Sequence, residues 1–248
     1  MALSGEPRRV CLLTGASGRL GSAFLRLYGH RYDIFAVSGT RAVTGPACVS
    51  WKFDPLKPAI RTPSVPRDFA SMNADLTDAT QVSQVVQRAL ARFGRIDLVV
   101  NAAAVVHLGW LTGVESNVIA GVTRMFEVNA VAPLRLALEV ARQFWRTREA
   151  ENAALNRNIV NVSSTSAAYV FDGQGQGGYS ASKAALNMLT CHMAEEFAEL
   201  GVRVNAVAPD SFPERIPTES VCDAIVRFDQ GALNGAISLQ EKPAETTA

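Results

Sequence analysis

Short apolar runs alternate with longer amphipathic stretches along most of the chain. Runs with few polar interruptions recur near 10–13, 33–37, 69–73, 98–101, 159–162 and 203–208, with a further one near 236–239. Strands buried on both faces read this way, because neither face has to meet water. Between these runs, residues 22–28, 79–93, 121–145 and 180–200 carry apolar positions at helical spacing. The alternation predicts an α/β fold, a doubly wound parallel sheet of about seven strands with helices on both faces. No internal repeat interrupts it, and residues 1–248 read as a single domain. The pattern lapses over 39–67, where Pro46, Pro55, Pro58, Pro63 and Pro66 disfavour a helix, so the segment reads as an irregular surface excursion. Residues 241–248 are polar and read as a frayed tail.

The first apolar run leads directly into Thr14-Gly15-Ala16-Ser17-Gly18-Arg19-Leu20-Gly21, followed by an apolar helical stretch. A strand, a glycine turn and a helix in this order let backbone N–H groups and a helix N-terminus meet a pyrophosphate. Far along the chain, Tyr179-Ser180-Ala181-Ser182-Lys183 sets a phenol and an ammonium one helical turn apart. A free tyrosine titrates near pH ~10, and a nearby cation favours its phenolate, so the pair can move a proton near neutrality. Taken alone, the same spacing describes a solvated ion-dipole pair on a helix surface.

Two further motifs complete an ordered set: Asp97-Leu98-Val99-Val100-Asn101-Ala102-Ala103-Ala104 and Asn158-Ile159-Val160-Asn161-Val162-Ser163-Ser164. In this order the motifs resemble the short-chain dehydrogenase/reductase family, from about Arg8 to about Val207. The resemblance implies a Rossmann fold and a dinucleotide-binding catalytic domain that transfers hydride between a nicotinamide and a carbonyl or alcohol. By the same resemblance Tyr179 gives or takes the proton, Ser164 hydrogen-bonds the same substrate oxygen, and Lys183 holds the nicotinamide ribose and lowers the tyrosine pKa. Asn129 would bend its helix to hold a water that links Lys183 to solvent. Ser163 and Ser166 stand close enough in sequence to compete with Ser164, and Asn129 reads equally as a helix kink. The implied cofactor contacts are Gly15, Ser17, Gly18, Arg19, Leu20 and Gly21 at the turn, and Asp75 and Leu76 at the adenine. Asn101, Ala102 and Ala103 follow along the central sheet, with Pro209 and Lys183 near the nicotinamide. Thr14 reads as structural.

At the end of the second strand a binder of NAD commonly places an acid for the ribose 2′-hydroxyl, but here stand Ser38-Gly39-Thr40-Arg41. Ser38, Thr40, Arg41 and Arg19 can accept a 2′-phosphate by charge-assisted hydrogen bonds, so NADP(H) is preferred over NAD(H). In the alternative, both arginines point into solvent. The chain also departs from the family pattern. Arg19 replaces a glycine, a spacing more typical of longer relatives that act on nucleotide sugars, although few residues remain after Val207 for a substrate region. Pro209-Asp210 replaces proline-glycine, and the stretch up to Val221 is short, which predicts a minimal lid. The segment between Ser164 and Tyr179 is long and glycine-rich; with His107, Trp110, Tyr169, Phe171 and Phe212 it is expected to line the substrate pocket.

Net charge and cysteines narrow the partners. A net charge of +1 leaves no footprint for nucleic acid or an anionic membrane. Cys11, Cys48, Cys191 and Cys222 lack paired metal-ligand spacing, so no metal site is expected. With no run of about 18 apolar residues and a first strand too early for a signal peptide, the expected compartment is cytoplasmic. A homodimer or homotetramer follows by resemblance, from small and apolar residues on the helices around Asn129 and after Tyr179. The resulting reading is an NADP(H)-dependent oxidoreductase for a small or medium organic substrate. A nucleotide-sugar ketoreductase, epimerase or dehydratase and a catalytically idle NADP-binding regulator are the competing readings.

Overall fold

In the apolar run 10–13 every side chain must leave water whichever way it points, which suits the centre of a covered sheet. In the computed structural model, which describes residues 8–43, 68–113 and 117–241, this run lies in β1 (Arg9–Thr14). The other strands are β2 (Tyr32–Ser38), β3 (Phe69–Asn73), β4 (Leu98–Asn101), β5 (Asn158–Val162), β6 (Arg203–Pro209) and β7 (Ile237–Gln240). They form one seven-stranded sheet in the order β3-β2-β1-β4-β5-β6-β7, every pairing parallel. The strand order reverses between β1 and β4, and in open parallel sheets a ligand crevice opens at that reversal, beyond the strands' C-terminal ends.

Among the described residues seven α-helices cover the faces: α1 (Arg19–Tyr28), α2 (Ala79–Phe93), α3 (Val118–Phe126), α4 (Ala132–Gln143), α5 (Glu149–Ala154), α6 (Gly177–Ala198) and α7 (Thr218–Gln230). On one face Phe24 and Leu25 of α1 and Val221, Ile225 and Phe228 of α7 pack over Cys11, Leu13 and Val160. On the other, Val85 and Val86 of α2, Leu136 and Val140 of α4 and Phe197 of α6 pack over Leu12, Val99 and Ile159. Asp78 caps α2 by accepting from Thr80 and Gln81 N–H groups, and Gly94 ends it with a left-handed φ of 72°.

The helix expected over 121–145 is not a single regular helix. Between α3 and α4 the turn Glu127–Val131 is π-helical and contains the buried Asn129. A π turn inserts one extra residue per turn and marks a place where a side chain or the backbone is used for something besides packing. α6 begins three residues before its expected start at 180, which puts Tyr179 in its first turn. α5 and α7 lie in stretches whose helices the pattern did not delimit. Most of the proline-rich excursion, residues 44–67 including Cys48, lies outside the described residues, as do 242–248 of the tail. Residues 39–43 leave β2 without entering a helix.

Candidate active site

Three glycines shape the turn after β1. Gly15 has φ +66°, and a Cβ there would stand 2.6 Å from the Ala102 carbonyl oxygen. A Cβ on Gly21 would overlap the Gly15 carbonyl. α1 therefore starts hard against the ends of β1 and β4, and no side chain caps it at Gly18. Its first N–H groups face the crevice with the positive end of the helix dipole, which suits a diphosphate. Thr14 is structural: its Oγ1 accepts from the Ala102 and Ala103 N–H groups at 3.1 and 3.2 Å and donates to the Val100 carbonyl.

Two adjoining clefts of about 610 and 550 Å³ run along this edge and share Gly15, Gly18, Ala102 and Ala104 as walls. The wider one is lined by Ser17, Ser38, Thr40, Arg41, Asp75 and Leu76, together with Ala103. Ser38 is buried and its Oγ donates to Asn73 Oδ1 at 3.2 Å, whereas Thr40 and Arg41 are exposed. The narrower one is lined by Leu20, Gly21, Ser164, Tyr179, Lys183 and Pro209, and by Phe171 and Phe212. Asn101 lines neither cleft; its amide donates to Asn161 Oδ1 at 2.9 Å, and Asn161 donates to Thr190 Oγ1 at 2.9 Å. It thus ties β4 to β5 and α6 behind the site.

Arg19 lies apart from Arg41. Its guanidinium crosses the narrower cleft to the Phe212 carbonyl and to Glu214, 3.1 Å away. It therefore lines the narrower cleft, apart from Ser38, Thr40 and Arg41 in the wider one. The reason is geometric, since the first residue of α1 points its side chain toward the β6–α7 loop.

Tyr179 and Ser164 come from α6 and the end of β5. Burial raises the Tyr179 pKa, and a side-chain hydrogen bond with Ser164 acts the other way. Lys183 Nζ lies 6.0 Å from the Tyr179 ring centroid and donates to the Val162 carbonyl at 2.7 Å. Burial lowers the lysine pKa to about 8. At the phenol burial dominates, and the upward direction keeps it protonated at neutral pH. Among the competing serines, Ser163 Oγ turns to the Lys183 carbonyl at 3.4 Å and Ser166 Oγ to Gln176 at 2.8 Å, which leaves Ser164 beside the phenol.

A profile of the family described as short chain dehydrogenase matches residues 9–216. The chain belongs to the short-chain dehydrogenase family. Its oxidoreductase members use NAD(H) or NADP(H). The 3-oxoacyl-(acyl-carrier-protein) reductase FabG of Thermotoga maritima is 29% identical over 235 residues, 93% of this chain and 85% of the relative. The 2,3-dihydro-2,3-dihydroxybenzoate dehydrogenase of Escherichia coli is 36% identical over 143 residues, 58% of this chain and 53% of the relative. Among solved structures, a Pseudomonas aeruginosa RhlG/NADP active-site complex superposes with a TM-score of 0.77 at 17% identity, covering 95% of both chains. A Brucella melitensis 3-ketoacyl-(acyl-carrier-protein) reductase complexed with NADH gives 0.75 at 20% identity, with 95% of this chain and 97% of that one covered. These last two show the fold.

Within this short-chain dehydrogenase the lining of the narrower cleft differs from the residues expected there. His107, Trp110 and Tyr169 do not line the cleft. After β4 it is the alternate residues Ala102, Ala104, Val106 and Leu108 that line the cleft. His107 instead approaches Met125 and Gly121 of α3, Trp110 is 63% exposed, and Tyr169 stacks edge-on against Phe171 outside the cleft. Gln174 and Gln176 line it as well, in the glycine-rich loop, which a Gly109 N–H to Gly175 carbonyl bond of 2.9 Å holds in place. Residues 102–106 are all apolar, so the sequence did not mark which of them face the cleft, and the glutamines carried no signal.

Asn129 is buried and both ends of its side-chain amide are hydrogen-bonded. Its Oδ1 accepts from the Val105 N–H at 2.9 Å, and its Nδ2 donates to the Val105 carbonyl at 2.9 Å and to Ser182 Oγ at 3.0 Å. The amide thus pins the segment after β4 to α6. After β6, Asp210 pairs with Arg215 at 3.2 Å, and the chain passes from 210 to 217 into α7 without a lid helix. Among the described residues, no group of three or more His, Cys, Asp or Glu side chains could hold a metal ion.

Proposed function

We propose that this short-chain dehydrogenase reduces a carbonyl, or oxidises the matching alcohol, of a small or medium organic substrate, with NADP(H) preferred over NAD(H). The observation that carries the reading is the convergence of Ser164, Tyr179 and Lys183 on a cleft continuous with the glycine turn. The bound nicotinamide supplies or accepts the hydride. Tyr179 Oη then gives its proton to the substrate oxygen, so that hydride and proton together convert C=O to CH–OH. Ser164 holds the same oxygen, and Lys183 donates to the nicotinamide ribose from its buried position. Val106, Leu108, Phe171 and Phe212 offer an apolar wall for the substrate body, and Gln174 and Gln176 offer hydrogen bonds. Exposed Leu138 of α4 and Met188 of α6 support a homo-oligomer.

The preference for NADP(H) rests on Ser38, Thr40 and Arg41 at the end of β2, with no carboxylate among them. A fluorescence titration with NADPH and NADH, repeated for Arg41→Ala, tests it. NADPH is expected to bind more tightly, and the variant to lose roughly 10-fold for NADPH alone, the scale of a charged hydrogen bond. Equal affinities unmoved by the substitution would reassign the cofactor to NAD(H). Binding of neither would remove the enzymatic reading.

A further inference from the structure

Arg124 of α3 lines the wider cleft, yet no motif marked it. Its Nη1 donates to Thr77 Oγ1 at 3.1 Å, and its Nη2 lies 3.7 Å from Asp75 Oδ1. Thr77 is in turn bound to Asp75, its N–H and Oγ1 donating to Asp75 Oδ1 at 2.9 and 2.8 Å. The Asp75 N–H donates to Gln81 Oε1 at 2.9 Å. One threonine therefore orients a carboxylate and a guanidinium together at the end of the cleft, beside the apolar Leu76, Val105 and Val128.

Both side chains of the pair are about half exposed, 46% and 48%, and such a pair adds little to stability in water. The Thr77 hydrogen bonds hold the Asp75 pKa below its ordinary value, so the carboxylate is an acceptor only and requires a donor from its ligand. A planar guanidinium stacks on flat π systems, which an ammonium cannot do. A carboxylate acceptor, a tethered guanidinium plane and aliphatic walls together match a flat heterocycle bearing an exocyclic amine. A phosphate is the poorer match, because Asp75 would repel it, and Arg41 already stands at the end of β2.

We propose that Arg124 stacks on the adenine base of the cofactor, the base that the family resemblance already places at Asp75. The inference rests on the dinucleotide reading given above. Fluorescence titrations of wild type, Arg124→Ala, Arg124→Lys and Thr77→Val with NADH and NADPH test it. Arg124→Ala is expected to weaken both dinucleotides by the same factor, roughly 3- to 30-fold for a lost cation-π contact. Arg124→Lys, which keeps the charge without the plane, is expected to restore little. Thr77→Val, which frees the guanidinium, should weaken both to a smaller extent. Unchanged affinity in Arg124→Ala, full rescue by lysine, or a loss confined to NADPH would overturn the proposal, the last making Arg124 a phosphate ligand. A wild type that binds neither dinucleotide removes the underlying reading and the proposal together, whereas tight wild-type binding with an indifferent Arg124→Ala removes the proposal alone.

Discussion

Lys183 places an ammonium where almost no water reaches, with the Val162 carbonyl as its acceptor. Burial brings its pKa down from 10.5 to about 8, so the unfolded chain holds the proton more tightly than the folded one. The buried charge therefore costs stability below about pH 8, and that cost fades as the pH rises from 8 toward 10.5. Lys183→Met is expected to raise unfolding stability at pH 7 by roughly 1–2 kcal/mol, at about 1.4 kcal/mol per pKa unit less the lost hydrogen bond. The gain should vanish near pH ~10, in urea titrations at both pH values, while turnover is lost. A variant less stable than wild type at pH 7 would mean the ammonium is better solvated than its burial implies. Tyr179, with its pKa raised, is a phenol at neutrality and so is ready to donate in the reducing direction. Tyr179→Phe removes that proton and little else. Turnover should drop roughly 10²- to 10⁴-fold with NADPH affinity nearly unchanged. A parallel collapse of both would place Tyr179 in the cofactor site instead.

At the scale of elements, the catalytic spacing works only because α6 starts where it does. Tyr179 falls in its first turn and Lys183 in its second, so both reach the end of β5, where Val162 and Ser164 wait. The helical spacing of the two residues was legible in the sequence. A bend at Asn129 was expected from the family resemblance; its form, a π turn over Glu127–Val131, was not, since the extra residue is imposed from outside, by Asn129 bonding across to Val105 and Ser182. The placements of His107 and Arg19 were likewise beyond reach, because side-chain direction after β4 depends on strand phase and that of Arg19 on a loop nearly two hundred residues away. Arg124 carried no signal at all: it is one arginine among many until α3 docks beside Asp75 and Thr77.

Across the whole molecule the two edges of the sheet have different chemistry. At the N-terminal edge, charges hold the strand starts together. Asp97 accepts from the Val10 N–H at 2.9 Å and from the buried Arg157 at 3.2 Å. Asp229 of α7 accepts from Arg9 and Tyr32, both at 2.8 Å, and from Asn158 at 2.9 Å. These partners open β1, β2 and β5, so one carboxylate ties three strands to a helix. The site occupies the opposite edge, where strand ends and loops are free to approach a ligand. Asp229→Ala removes the shared acceptor of a partly buried guanidinium, a buried phenol and a buried amide and is expected to cost about 3 kcal/mol, or roughly 6–12 °C in Tm. NADPH affinity should change little, since the substitution lies across the sheet from the clefts. A large loss of affinity in still-folded protein would show that the two edges are coupled. Among the described residues no helix is long and apolar enough to cross a membrane.

Local chemistry was enough to determine the alternation of strands and helices, the glycine turn and the Tyr179 to Lys183 pair, because each depends on residues close together in the chain: apolar periodicity, the freedom of glycine at positive φ, and one turn of helix. Tertiary structure alone decided which cations face which cleft, which aromatics line the narrower cleft, how deeply Tyr179 and Lys183 are buried, and that Asn129 bonds to Val105 and Ser182. All of these depend on distances between residues far apart in sequence and on how much water each group loses, and neither quantity exists until the sheet and its helices have packed.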